Sequence, residues 1–132
     1  LKKANDSWER VLLCAQFALD KKAYDLVILE VAKLTSIADY FLICTGRSDI
    51  QVQTICRHIA ESLAKVGVKP LSIEGLPHGQ WVLMDFGDVI VHIFYETARD
   101  FYNLEGLWAQ APQRSLPEPY HSQARQFRLA TA

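Results

Sequence analysis

The sequence predicts a single α/β domain, one mixed β-sheet of about five strands with helices packed on it. Three observations carry this. The apolar runs at 24–31 and 39–45 show little alternation, as strands covered on both faces do. The segments from Asp6 to Asp20 and from Ser48 to Leu63 instead repeat apolar residues at helical spacing. One helical segment separates the second strand from the third, whereas the last two strands face each other across a glycine, so a single sheet must hold both kinds of neighbour.

The elements follow in order. Asp6 with Glu9 makes a capping-box-like start, and Trp8, Val11, Leu12, Ala15, Ala18 and Leu19 share the face of a first helix. Leu13, Cys14 and Phe17 widen that face, through deeper burial or contact with a second subunit. YDLVILEV, at 24–31, is the first strand, and DYFLICT, at 39–45, is a second that ends at Gly46. Ser48 or Asp49 can cap the next helix, whose face carries Val52, Ile55, Cys56, Ile59, Ala60 and Leu63 and whose stop is Gly67. Residues 70–74 read as a short strand and 75–79 as a loop. A hairpin follows with Gly87 at its turn. Trp81 opens it, with Val82 and Met84 expected on two different faces, and His92 points opposite to Val91 and Ile93. After Glu96 a helix sets Phe101, Leu104 and Trp108 at i, i+3 and i+7. Pro112, Pro117 and Pro119 then fall among Gln, Arg and Ser, so 1–110 reads as the domain and 111–132 as a flexible C-terminal tail in which Phe127 and Leu129 could dock.

At 132 residues the chain can bury a proper core without staples or metals. A net charge of −1 argues against a general nucleic-acid binder, because such binding rests on a clustered basic surface that neutralises phosphates. Cys14, Cys44 and Cys56 are odd in number and sit in apolar patterns, as buried reduced thiols of a cytosol-like compartment do. No apolar run approaches the ~20 residues of a membrane span. No signal-peptide pattern is present, in a chain that begins at Leu1.

Charge is unevenly distributed. Residues 70–108 hold Glu74, Asp85, Asp88, Glu96, Asp100 and Glu105 against Arg99 alone, and they are rich in aromatics. An acidic, aromatic segment on a rigid hairpin suits docking of a basic partner, since opposite potentials steer encounter and aromatics supply anchoring area. Trp81 is the candidate anchor, with a core position as the competing account. Asp85 and Asp88 are candidate charge partners, and Tyr102, Leu107 and Trp108 candidate supporting contacts.

Catalytic motifs fare worse. Thr45-Gly46-Arg47-Ser48 before a helix could bind phosphate, but it lacks the lysine and second glycine of a P-loop, so a simple turn and cap explains it better. Asp85-Phe86-Gly87 copies a kinase triplet without the other kinase motifs. Asp85 and Asp88 flank a turn with too few oxygen ligands nearby for a divalent ion. His58, His78, His92 and His121 show no zinc spacing, and no Ser or Cys occupies a recognisable nucleophile elbow. The expectation is no catalytic, metal or cofactor site.

Taken as a set, DLVILEV (25–31), LTSIADYFLICTGRSD (34–49), QVQTICRHIAESL (51–63), KPLSIEG (69–75), GQWVLMDFGDVIVHIF (79–94) and RDFYNLEGLW (99–108) resemble the ribosomal silencing factor, or Iojap-like, family over about residues 7–108. The resemblance implies a nucleotidyltransferase-like fold that has lost its catalysis. Active members of that fold follow a Gly-Ser turn with two acids one residue apart that hold magnesium. Here Arg47 follows Gly46, and no such acid pair occurs. The resemblance further implies a translational repressor that binds the large ribosomal subunit through its universal protein fourteen. Bound there, it would block association with the small subunit under nutrient limitation, in a bacterial cytoplasm or an organelle. The alternatives are a large-subunit assembly factor, a homodimer formed through the wide first helix, and a residual magnesium-dependent nucleotidyltransferase using the 45–48 turn with Asp85 or Asp88. No membrane partner and no sequence-specific nucleic-acid binding are expected.

Overall fold

The computed structural model describes residues 6–118. In chain order the elements are α1 (Ser7–Asp20), β1 (Tyr24–Glu30), β2 (Tyr40–Gly46), α2 (Asp49–Ala64), β3 (Ser72–Glu74), β4 (Trp81–Asp85), β5 (Val89–Tyr95), α3 (Glu96–Tyr102), α4 (Leu104–Leu107) and β6 (Gln113–Arg114). The strands form one sheet in the order β3-β4-β5-β2-β1-β6. β2 and β5 run parallel, and every other neighbouring pair is antiparallel. The mixed α/β sheet is the expected one, with six strands where about five were expected.

Local chemistry sets the helix ends. The Asp6 carboxylate accepts the Trp8 N–H at 3.0 Å to start α1, and the Ser48 hydroxyl accepts the Gln51 N–H at 3.0 Å to start α2. Gly67, at φ 83°, stops α2: its N–H reaches the Ala64 carbonyl while the Val68 N–H reaches that of Leu63. Those two bonds are the Schellman pattern, and the left-handed residue it needs is glycine here. On the wide face of α1, Cys14 is fully buried, and Leu13 and Phe17 pack half-buried against the same core.

The β4–β5 hairpin turns on Gly87 at φ 92°, whose N–H the Asp85 carboxylate accepts at 2.8 Å, while Phe86 N–H donates to the Val89 carbonyl. This closes the register Trp81↔Phe94, Leu83↔His92 and Asp85↔Ile90. Side chains alternate along a strand, so residues two apart share a face. Val82 and Met84 accordingly lie together in the core, which corrects the expectation that they part.

The two faces of the sheet are covered differently. α1 and α2 pack over Ile28, Leu42, Cys44, Val82, Met84, Val91 and Ile93. The opposite face presents Leu29, Phe41, Ile43, Ile90 and Phe94, over which α3 and α4 lay Ala98 and Leu104. Those helices do not form the single expected one. Asn103 adopts a left-handed conformation at φ 45° and breaks it, so Leu104 is buried while Phe101 is 80% exposed.

The segment expected to be a flexible tail begins as part of the fold. The Pro112 carbonyl accepts the Glu30 N–H at 2.8 Å, Gln113 and Arg114 pair with Leu29 and Ile28, and Ala111 and Leu116 are buried. The Arg114 guanidinium lies 4.3 Å above the Trp8 ring, a cation–π contact that ties this strand to α1. Phe127 and Leu129 lie outside the described residues.

Candidate functional site

The half-covered face is built by parity. Trp81, Leu83 and Asp85 of β4 stand beside Phe94, His92 and Ile90 of β5, and β2 adds Thr45, Ile43 and Phe41. The strands thus supply an aromatic row to which α3 and α4 add Tyr102 and Trp108.

Trp81 heads that row. Its ring stacks on Phe94 at 4.9 Å between centroids and meets Tyr102 at 4.7 Å, while its indole N–H donates to His92 Nδ1 at 3.2 Å. The indole is half-buried, which combines the two competing accounts: one side is core and the rest is available. Trp108 packs edge-on against Phe41 at 5.0 Å, and Phe41 meets His92 in the same manner at 5.0 Å. Around this row Phe101, Tyr102, Leu107 and Leu34 are exposed. Two open clefts flank it: one of about 380 Å³ is lined by Gln80, Thr97, Ala98, Phe101 and Tyr102, the other, also about 380 Å³, by Leu34, Leu107 and Trp108 among others. Exposed apolar area of this kind marks a docking surface more often than a monomer's ordinary exterior.

His92 is the residue here that sequence reasoning did not connect to the site. It is 4% exposed, and burial lowers its pKa to about 4, so the ring is neutral at ordinary pH. Because Nδ1 accepts the indole proton, the imidazole hydrogen must reside on Nε2, which is buried without a partner among the described residues. The signal was present in the turn. A two-residue loop at Gly87 and Asp88 sets Trp81 opposite Phe94, and His92 is then its diagonal neighbour on the same face.

The predicted acids separate. Asp85 shares the parity of Trp81 but lies at the far end of β4, where its carboxylate holds the turn. Asp88 is ion-paired with Arg10 of α1 at 2.8 Å, and its carbonyl accepts the N–H groups of Asp39 and Tyr40. The structure therefore places Asp88 toward the helical layer, roughly 20 Å along the hairpin from the indole at ~3.3 Å per residue. The acid nearer the aromatic row is the exposed Glu74 of β3, which pairs with Leu83 of β4, whereas Asp100 of α3 lines a cleft toward β1 with Asp25 and Val27. Of the remaining predicted residues, Tyr102 joins Trp81 directly, Trp108 reaches the row through Phe41, and Leu107 is 78% exposed beside Trp108.

A second polar network fixes the helices that carry these side chains. Arg99 donates to Glu105 at 2.6 Å and to the Thr45 hydroxyl at 2.6 Å, spanning the break at Asn103. Burial alone would raise the Glu105 pKa, but the hydrogen bonds and charge of Arg99 outweigh it and hold the carboxyl low. Tyr24 donates to Glu96 at the start of α3. Burial, then that hydrogen bond and the carboxylate charge, push its hydroxyl pKa up.

The turn at 45–48 is filled by the protein itself. Thr45 is buried and bonded to Arg99, the Arg47 N–H donates to Gln51 Oε1 at 2.6 Å, and a Cβ on Gly46 would meet Val52 at 3.0 Å. Gly46 thus reflects close packing of β2 on α2. The three cysteines are free and buried, and burial pushes the Cys44 and Cys56 thiols up to about 12 and about 11, which keeps both protonated. No group of three or more His, Cys, Asp and Glu side chains among the described residues could hold a metal ion.

One sheet face closed by two long helices, and the other left partly open around a positioned aromatic row, place this chain among single-sheet α/β proteins. The sequence profile of the family described as ribosomal silencing factor during starvation matches residues 4–131. The chain is 45% identical over 97 residues to the ribosomal silencing factor RsfS of Bacillus subtilis, covering 74% of this chain and 82% of that one. It is 38% identical over 118 residues to the chloroplastic protein Iojap of Arabidopsis thaliana, covering 84% of this chain and 46% of that one. A crystal structure from Bacillus halodurans matches with a TM-score of 0.75 at 38% identity, over 83% of this chain and 99% of that one. Another from Chromobacterium violaceum matches with a TM-score of 0.77 at 33% identity, over 87% and 98%. The chain belongs to the ribosomal silencing factor family. Bacterial relatives such as that of Bacillus subtilis bear the name of silencing factors, not of enzymes. Among the described residues no helix is long and apolar enough to cross a membrane.

Proposed function

We propose that this chain represses translation by occupying a protein surface: it docks on the large ribosomal subunit through universal protein fourteen and sterically prevents association with the small subunit. The observation that carries the reading is the half-covered aromatic face headed by Trp81, in a chain of this family. Exclusion by occupancy needs area, shape and charge but no reacting group, and those are what this face offers. Trp81 is the anchor, and Tyr102, Leu107 and Trp108 extend the apolar contact. Glu74 supplies negative charge at the rim that complements a basic ribosomal protein. Asp85, which also holds the hairpin turn, and Asp88, which also ties it to α1, add negative charge farther along the hairpin. In this reading the protein works where ribosomes are assembled and used, the bacterial cytoplasm for relatives such as that of Bacillus subtilis.

The test is a pull-down of purified large subunits with the wild-type protein and Trp81→Ala, read beside a subunit-joining assay. Binding and blocked joining by wild type, both lost in the variant, are the expected result. Binding that leaves joining intact would instead identify an assembly factor, and absence of wild-type binding would overturn the reading.

A further inference from the structure

We infer that His92 is the positioning residue of the Trp81 anchor: it accepts the indole N–H from beneath and so sets the ring in the attitude in which the partner meets it. The inference rests on the docking role proposed for this face.

The geometry leaves the indole few other ways to be held. A half-buried tryptophan at the first position of a strand next to a loop can rotate about two side-chain bonds, and stacking on Phe94 and Tyr102 constrains its plane without defining which edge faces outward. The 3.2 Å bond to Nδ1 removes that freedom, because indole has a single donor and imidazole Nδ1 a single lone pair. His92 is itself immobile. It lies on the central-sheet strand β5, between Leu83 of β4 and Ile43 of β2, with Phe41 edge-on at 5.0 Å.

Two consequences follow for recognition. The indole N–H is satisfied within the protein, so the anchor offers the partner only apolar ring surface. The receiving pocket is therefore apolar and carries no acceptor for that proton, with any basic groups at its rim. Pre-setting the ring also removes most of the ordering cost on association, so the hydrogen bond contributes to affinity although neither of its atoms touches the partner.

The experiment uses the intact chain with ¹⁵N-labelled tryptophan, purified large ribosomal subunits as the binding probe, and the variants His92→Leu, His92→Asn and Trp81→Phe. Leucine keeps an apolar side chain of similar size but cannot accept. Asparagine places its carbonyl oxygen one bond beyond Cγ, where Nδ1 lies. The expected result is that His92→Leu moves the Trp81 indole N–H resonance, speeds its exchange with water and weakens binding about tenfold, while His92→Asn restores most of all three. In the Trp81→Phe background, which has no proton to donate, His92→Leu should cost nothing further. An unmoved indole resonance in His92→Leu overturns the inference, as does an equal loss of binding with and without the indole. If wild type fails to bind large subunits, the functional reading fails, and the resonance and exchange measurements still decide the lock.

Discussion

The two faces of this sheet are made from the same strands and differ in what covers them. On the helical face, α1 and α2 each run more than three turns and bury a continuous apolar stripe, leaving Leu42, Val82 and Ile93 fully inaccessible. On the aromatic face, α3 and α4 have seven and four residues, and Asn103 diverts the chain between them. The shorter cover leaves Trp81 and Leu83 half-buried and Phe101 and Leu107 exposed. Apolar residues therefore do two jobs here. On the helical face they hold the fold together, and on the aromatic face some are left exposed, as the proposed docking requires.

That contrast can be broken or sharpened by experiment. Leu42→Ala, on the helical face, should destabilise the protein by about 2–5 kcal/mol in urea unfolding, through lost burial and the cavity left behind, with little effect on the affinity of the folded fraction. A loss below 1 kcal/mol would mean that this face is not close-packed. Acid should act on the other face. The folded pKa of His92, about 4, lies below its ordinary 6.5, so the unfolded chain binds more protons between those values. Stability is then complete above pH 6.5 and falls as pH drops toward 4, by about 3 kcal/mol at roughly 1.4 kcal/mol per unit. Urea midpoints at pH 7 and pH 4.5 measure this, and His92→Asn should flatten that limb. Trp81→Ala should weaken large-subunit binding by about 2 kcal/mol or more. Titration of labelled protein reports that loss, and an unchanged affinity in a folded variant would make Trp81 ordinary core. Leu107→Ser should change thermal stability by no more than about 0.5 kcal/mol, since its side chain is exposed, while reducing affinity. Equal affinity would move the contact away from α4.

How much of this could be read from residues alone depended on the range of the interaction. Gly67 and Ser48 revealed the ends of α2 because caps act within a few residues. The buried strands were visible because covering both faces removes alternation. The break at Asn103 was hidden, since the i, i+3, i+7 spacing of Phe101, Leu104 and Trp108 is helical and what bridges the break is Arg99 gripping Glu105 and Thr45. β6 was hidden for a different reason: its pairing uses backbone atoms of Pro112 to Arg114, which composition does not reveal. The ion pair of Asp88 with Arg10 was hidden because the two lie 78 residues apart in sequence. Trp81 could be named as the anchor candidate, but its tie to His92 needed the hairpin register worked through.

The parallel pairing of β2 with β5 has a temporal consequence. The sheet consists of two antiparallel blocks, β6-β1-β2 and β3-β4-β5, that meet only along that seam. Short connections join β1 to β2 and link β3, β4 and β5. β6 instead reaches β1 from the end of the described chain, and the seam unites residues 40–46 with 89–95, long-range closures that are entropically costly and slow to form. Phe41 lies on one side of the seam, and His92, Phe94 and Trp81 lie on the other. A chain emerging from a ribosome therefore cannot assemble this aromatic row until its second block has been made, and the finished surface is itself a report that the domain is complete.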